Sequence, residues 1–126
     1  MEFPNELYYS PDHEWLRPEG EEAVIGITAF AADQLGDIVY LDVPALGQAL
    51  EAGAVFGSIE AVKTVSDLFM PVAGTITAVN PLLADCPELV NSDPYGDGWL
   101  IRVKLTETST TGLLDATAYQ QLTGHV

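Results

Sequence analysis

Apolar and polar residues alternate over several short segments of this chain, and Gly, Pro, Asn and Asp separate the segments. In residues 22–28, for example, Ala23, Ile25 and Ile27 fall on one face of an extended segment. Several short strands at this spacing are typical of a β-sandwich or barrel. Strands are predicted over residues 22–28, 38–43, 54–60, 64–70, 75–79 and 99–105.

The faces of two predicted strands can be assigned from this alternation. In residues 54–60, one face carries Val55, Gly57 and Ile59. Residues 99–105 alternate most clearly, and we expect their inward side chains to be Trp99, Ile101, Val103 and Leu105. Their expected outward side chains are Leu100, Arg102 and Lys104.

Helix signals are few. Residues 28–36 begin with the N-cap candidate Thr28 and end at Gly36, a favourable helix stop. Near the C-terminus, Leu114, Ala118 and Leu122 recur every four residues and predict a short amphipathic helix that Gly124 ends. Because no linker or low-complexity tract interrupts the pattern, we expect residues 1–126 to form a single domain.

Composition narrows the range of partners. Nineteen acidic residues against four basic ones give a net charge of −15. Nucleic acids and anionic membranes bind through Lys and Arg, so neither is an expected partner. The acidity either steers the chain towards basic protein surfaces or only keeps a monomer soluble. Residues 1–15 lack the features of a targeting segment and no apolar run reaches about 20 residues, so we expect an intracellular protein.

Several chemistries are not supported by any motif. The lone Cys86 has no cysteine partner and no basic neighbour, so we expect an inert thiol. His13 and His125 are far apart in sequence and do not predict a zinc site. The acidic loop around Asp93 and Asp97 does not have the spacing of a calcium-binding EF-hand. No nucleotide-binding or nucleophile-elbow motif is present.

Lys63 is the residue with the most informative context. It is one of only two lysines and lies in the run GSIEAVKTVSDLFMP (57–71), between the β-branched residues Val62 and Thr64. We expect it at the tip of a hairpin, with its amine in solvent. A lysine is a weak nucleophile unless burial or nearby cations activate it, and this run holds no other cation. Acylation by a dedicated enzyme therefore fits this lysine better than a catalytic role, whereas a solvated charge is the ordinary alternative.

The runs IEAVKTVSDL and MPVAGTI resemble the lipoyl-lysine hairpin of the H-protein family of the glycine cleavage system. The resemblance extends over nearly the whole chain and includes three longer blocks. Ala61 replaces a serine that is usual in the family, and the stretch after Thr106 is the least similar. The three blocks are YYSPDHEWL (8–16), VIGITAFAADQLGDIVYLDVPALG (24–47) and PELVNSDPYGDGWLIRVKL (87–105).

The resemblance implies a fold, a cofactor and a set of partners. The fold would be an all-β barrel-sandwich hybrid of the lipoyl/biotinyl-carrier type with two or three short surface helices. Lys63 would carry lipoic acid in amide linkage, attached by a lipoylating enzyme. As a non-catalytic carrier, the chain would take the aminomethyl group of glycine from the pyridoxal-phosphate P protein to the folate-dependent T protein. The flavoprotein L protein would then reoxidise it, in the bacterial cytoplasm or, for a processed chain, in the mitochondrial matrix.

The resemblance also implies roles for further residues. Glu60, Gly47 and Gly74 would belong to the signal read by the lipoylating enzyme, and the two glycines would permit turns with positive φ. The loaded arm carries a positive amine and needs a dry site with carboxylates. Without the resemblance, Glu14 and Asp67 would be interpreted as solvated surface carboxylates. The positions expected near the docked arm are Asp12, Glu14, Ile27 and Asp67.

Two other interpretations stay open at this point. One is a carrier for a different route, such as a lipoyl domain of a 2-oxoacid dehydrogenase or a relay that donates lipoyl groups. The other is a self-contained enzyme that uses Lys63 or Glu14 directly, although no nucleophile–base set supports it.

Overall fold

The computed structural model describes residues 4–106 and 113–124, and strands dominate them. The six strands predicted from alternation are confirmed, each within one or two residues. One six-residue strand, two strands of two residues and two short helical segments were not predicted. The strands are β1 (Tyr8–Tyr9), β2 (Glu14–Glu19), β3 (Glu22–Ile27), β4 (Ile38–Asp42), β5 (Ala49–Leu50), β6 (Val55–Ala61), β7 (Val65–Phe69), β8 (Gly74–Val79) and β9 (Ile101–Leu105). The helices are α1 (Ala29–Leu35), α2 (Leu89–Ser92) and α3 (Ala116–Thr123), with a 3₁₀ turn over Pro81–Ala84.

The strands form two antiparallel sheets. The larger sheet has the order β1-β2-β3-β9-β8-β5, and the smaller one has the order β4-β6-β7. The two sheets are not closed into a barrel by hydrogen bonds between the described strands. The mainly β fold with a few short helices is thus confirmed.

Two apolar clusters hold the sheets and helices together. The larger cluster lies around strands of both sheets and includes Ile25, Ile59 and Ile76. The smaller cluster contains Trp15 and Val24 together with Tyr119 of α3. Since β3 contributes to both clusters, Ala23–Ile27 are all buried. Trp15 is a fully buried packing residue, and its indole Nε1–H donates to the Pro94 carbonyl oxygen at 2.9 Å.

The helix signals located α1 correctly but gave the wrong buried face for α3. Thr28 caps α1 by accepting a hydrogen bond from the Ala31 amide, and Gly36 ends the helix. The C-terminal helix ends at Gly124, as predicted. Its buried residues are Ala116 and Tyr119, however, and Leu122 is 51% exposed. The prediction was wrong because the helix begins only at Ala116.

Two strand-face predictions were also wrong. Leu100 was expected to point outward, yet it is fully buried, and its amide donates to the Ile25 carbonyl oxygen at 2.9 Å. Leu100 precedes the first residue of β9, so the alternation of the strand does not apply to it. Val55 is 49% exposed because the β6–β7 register shifts between Val55 and Gly57, which moves Phe56 into the core.

Candidate functional site

Lys63 lies in the turn that joins β6 to β7, and its side chain is exposed. The turn is closed by a hydrogen bond from the Ala61 amide to the Thr64 carbonyl oxygen, at 2.8 Å. The Val62 amide donates to the Asp37 carbonyl oxygen at 3.0 Å and ties the turn to the loop before β4. The expected location of Lys63 at a hairpin tip is therefore confirmed. A lysine in this setting is open to another protein.

Glu60 is the last exposed residue of β6 before the tip. It lies opposite Val65 on β7 and Tyr40 on β4. Its carboxylate therefore faces solvent close to the turn that carries Lys63.

A cavity of about 130 Å³ lies beside β7, where the two sheets and α1 meet. Residues of α1 form one wall through Ala31, Gln34 and Leu35. The four positions expected near a docked arm all line this cavity. They are Asp12, Glu14, Ile27 and Asp67.

Glu14 is the most unusual of these residues because its side chain is buried, with only 1% exposed. Its Oε2 accepts a hydrogen bond from the Phe69 amide at 2.8 Å. Its Oε1 is buried and has no hydrogen-bond partner among the described residues. The alternative interpretation of Glu14 as a solvated surface carboxylate is wrong, since the first residue of β2 meets the end of β7.

Burial changes the acidity of Glu14. Loss of solvent raises the pKa of its carboxyl group from the ordinary value of 4.5 to about 8, and the nearby Asp12 carboxylate adds to the rise. The hydrogen bond from Phe69 opposes this shift without cancelling it. A cation entering the cavity would favour the ionised form of Glu14.

A tight turn before β2 orients Glu14. The Glu14 amide donates to Ser10 Oγ at 3.2 Å, and the Ser10 amide donates to the Glu14 carbonyl oxygen at 2.8 Å. His13 adopts a φ of 67°, which is uncommon for a residue with a side chain. Its Nδ1 is hydrogen-bonded to the Tyr119 hydroxyl at 2.7 Å, so α3 supports the turn.

Asp12 and Asp67 lie at the rim of the cavity and are exposed. For Asp67, the surface position expected from sequence alone is confirmed. Asp67 also borders a second, shallower cavity of about 360 Å³ on the outer face of the smaller sheet. Ile27 is 2% exposed and supplies an apolar part of the lining.

Gly47 and Gly74 lie beside the larger sheet rather than in the turn that carries Lys63: the Gly47 amide donates to the Ile76 carbonyl oxygen at 2.9 Å, and Gly74 is the first residue of β8. Gly47 has a φ of 86°, so the expected turn with positive φ is confirmed there. For Gly74 that expectation was wrong, because the residue is inside β8 and paired with Leu105. A Cβ on Gly74 would lie 2.7 Å from the Lys104 carbonyl oxygen, so close strand approach explains this glycine. A role of either glycine in lipoylation stays a prediction.

Several contributors to the cavity were not predicted from sequence. The Phe69 backbone amide donates to the side-chain carboxyl oxygen of Glu14, 55 residues earlier in the chain, and no pattern in the sequence reports such a contact. Helix α1 was predicted, but its position against the cavity depends on tertiary packing. The described residues contain no group of His, Cys, Asp and Glu able to hold a metal ion, and His125 lies outside them. Cys86 is exposed.

A β-sandwich that presents one lysine at a hairpin tip, beside a cavity with a buried carboxyl group, has the form of a carrier domain of the lipoyl type. The sequence profile of the glycine cleavage H-protein family matches residues 7–126. This chain therefore belongs to the glycine cleavage H-protein family.

Individual relatives agree with this assignment. The glycine cleavage system H protein of Bacteroides thetaiotaomicron is 55% identical over 121 residues, which cover 95% of this chain and 96% of the relative. The protein of the same name from Magnetococcus marinus is 55% identical over 120 residues, covering 94% and 86%. A crystal structure of a glycine cleavage system H protein from Mycobacterium marinum has a TM-score of 0.88 at 38% identity, covering 97% of this chain and 99% of that one.

Proposed function

We propose that this chain is the lipoyl carrier of a glycine cleavage system and is modified at Lys63. It would carry the aminomethyl group of glycine from the P protein to the T protein and be reoxidised by the L protein. We infer that it acts as a monomer in the bacterial cytoplasm and contributes no catalytic residue of its own. None of the described helices has the length and apolar character that crossing a membrane requires.

The observation that carries this proposal is that an exposed lysine lies near a cavity lined by a buried carboxyl group. Lys63 stands free at the tip of the hairpin, whereas Glu14 is buried behind β7 with one oxygen unpaired among the described residues. A long arm attached to Lys63 could fold back so that its free end enters the cavity beside Glu14. These residues therefore fit lipoate, which supplies when bound the disulfide that accepts the aminomethyl group.

We infer that the cavity shelters the cationic end of the loaded arm. Glu14 would bind the amine through its unpaired Oε1, and Ile27 would help to exclude water. Asp12 and Asp67 at the rim would attract the cation from solvent. We further propose that Glu60 belongs to the surface read by the lipoylating enzyme.

The function can be tested with the two lysines of the chain, Lys63 and Lys104. We expect Lys63→Arg to abolish glycine decarboxylation in a mixture with the P, T and L proteins, because arginine keeps the charge but cannot form the amide. Lys104→Arg, on the exposed side of β9, is the matched control and should retain full activity. Full activity of Lys63→Arg would refute the carrier function.

A further inference from the structure

The hydroxyl group of Tyr119 connects two segments that line the cavity beside β7. It lies 2.7 Å from Nδ1 of His13 and 2.8 Å from Oγ1 of Thr28. His13 lies between Asp12 and Glu14, and all three line the cavity. Thr28 is the N-cap of α1, the helix that forms a further wall. One phenol of α3 therefore bridges both segments, although the described residues lining the cavity include none from α3.

The backbone of His13 needs support from its surroundings. Its φ of 67° is the only positive value among the described residues other than glycine. This conformation is unfavourable for a residue with a side chain, because Cβ comes too close to the following carbonyl oxygen, so neighbouring groups have to hold it. The His13 carbonyl oxygen accepts from the Thr28 amide at 3.0 Å, and Tyr119 holds the imidazole. Since Glu14 is the next residue, the conformation of His13 decides where its side chain enters the cavity.

The protonation states of the two rings suit this contact. Burial lowers the pKa of His13 below the ordinary value of 6.5, and the Asp12 carboxylate opposes this change. Burial also raises the pKa of Tyr119 to about 12. The neutral imidazole can accept the phenolic proton at Nδ1, while the phenolic oxygen accepts from the Thr28 hydroxyl. Each of the two contacts then has one donor and one acceptor.

Packing on the other side of the ring fixes Tyr119. Its side chain is fully buried and stacks on Tyr9, with ring centroids 4.8 Å apart and an angle of 11° between the planes. Two backbone hydrogen bonds between Tyr9 and Leu114 attach the segment before α3 to β1. Helix α3 thus presents the hydroxyl group from a well-packed support.

Given the proposed function, we propose that Tyr119 is a positioning residue that keeps Glu14 in place to bind the cationic end of the loaded arm. It acts through His13, whose turn directs the Glu14 carboxyl group towards the Phe69 amide. Thr28 fixes the phenolic oxygen between this turn and the start of α1. Tyr119 does not line the cavity, so it shapes the site without contacting the arm.

The first test measures the Glu14 carboxyl group in the full chain without lipoate. NMR titration with ¹³C-labelled glutamate gives its pKa, and Glu14→Gln identifies the resonance. Tyr119→Phe removes the hydroxyl group and keeps the ring that stacks on Tyr9. We expect this variant to lower the pKa of Glu14 from about 8 by about one pH unit or more, because a loosened turn admits water.

A second pair of variants tests the route through His13. His13→Gly removes the imidazole and tolerates the positive φ, so it should also lower the pKa of Glu14. The double variant His13→Gly/Tyr119→Phe should lower it by less than the sum of the two single changes, since both remove the same hydrogen bond. Additive changes would overturn the route from Tyr119 through His13.

The third measurement concerns the loaded arm. The lipoylated chain is loaded by the P protein, and loss of the aminomethyl group to water is followed without the T protein. Loss should be about threefold or more faster for Tyr119→Phe than for the parent, because the amine is less well sheltered. Lipoylation of Lys63, measured by intact mass, should be unchanged.

Tyr9→Phe is the matched control. It removes a hydroxyl group from the same stacked pair, but this group donates to the Pro4 carbonyl oxygen at 2.6 Å. Both tyrosine variants should lower the urea midpoint by similar amounts. Only Tyr119→Phe should change the pKa of Glu14 and the rate at which the aminomethyl group is lost.

The outcomes distinguish the two proposals. If Tyr119→Phe matches the parent in the pKa of Glu14 and in aminomethyl loss, or if Tyr9→Phe changes both equally, the positioning role is refuted and the carrier function stands. If the parent chain gains no lipoyl group, the proposed function fails, and the role of Tyr119 in retaining the arm fails with it. The titration without lipoate reports on Tyr119 and Glu14 in either case.

Discussion

Glu14 combines deep burial with a single backbone partner, and this makes its carboxyl group sensitive to pH. One oxygen accepts from the Phe69 amide, and the other has no partner among the described residues. The neutral acid is therefore the favoured form in the folded protein near neutral pH, as expected for a pKa of about 8. A cationic ligand would reverse this preference and release the proton.

This property predicts how stability changes with pH. The folded state keeps the Glu14 proton up to a pKa of about 8, whereas an unfolded chain loses it near 4.5. The stability that the retained proton gives the folded state is fully present below about pH 4.5. It is lost as the pH rises from about 4.5 to about 8, with a limiting slope of about 1.4 kcal/mol per pH unit.

Urea unfolding of the parent and Glu14→Gln from pH 5 to pH 8 measures this slope. The free energy of unfolding should fall more steeply with pH for the parent than for the variant, because glutamine does not titrate. Parallel curves for the two proteins would contradict the burial of an ionisable group at this position.

The family resemblance named four of the residues that line the cavity but not how their environments differ. The resemblance singled out Asp12, Glu14, Ile27 and Asp67, and all four line it. Nothing in the run from Asp12 to Trp15 distinguishes a buried carboxyl group from an exposed one. That difference arises because the start of β2 meets the end of β7, where the Phe69 amide donates to a carboxyl group 55 positions away.

The β6–β7 hairpin depends on close contact with β4. Gly57 lies on the inner side of β6, where a Cβ would overlap the Asp42 carbonyl oxygen. The absence of a side chain at Gly57 lets β4 and β6 approach closely there, at the same point where the pairing of β6 with β7 shifts register.

We therefore expect Gly57→Ala to lower the free energy of unfolding by about 1–3 kcal/mol, because β4 or β6 has to move. The neighbouring Ser58→Ala, on the outer face, should change it by no more than about 0.5 kcal/mol. Chemical denaturation of both variants provides the comparison. Equal stability of Gly57→Ala and Ser58→Ala would show that β4 and β6 leave room for a side chain at position 57.

Alternation predicted six of the nine described strands, but it missed the six-residue β2 and was wrong where local pairing departs from a regular ladder. Val55 lies at a register shift and Leu100 precedes its strand, so neither follows the period of two. The two-residue strands β1 and β5 are too short to produce a pattern. In α3, the period of four was present, but the position of the helix start decided which face is buried.

At the scale of the whole molecule, the described residues present two kinds of surface. The larger sheet and α3 form the structural scaffold. On the larger sheet, Arg17 and Arg102 form salt bridges with an acidic neighbour. The smaller sheet carries Lys63, the exposed apolar residues beside it and several carboxylates without ion pairs in the described part of the chain. This division suits a protein that presents one arm to several enzymes.

The central claim is that the Lys63 amine is the attachment point for lipoate. Intact mass spectrometry of the protein made in lipoate-replete cells, followed by peptide mapping, tests it most directly. We predict a gain of one lipoyl group, located on the peptide that contains Lys63 and absent from the peptide with Lys104. An unchanged mass under these conditions, or a lipoyl group on Lys104, would contradict the account.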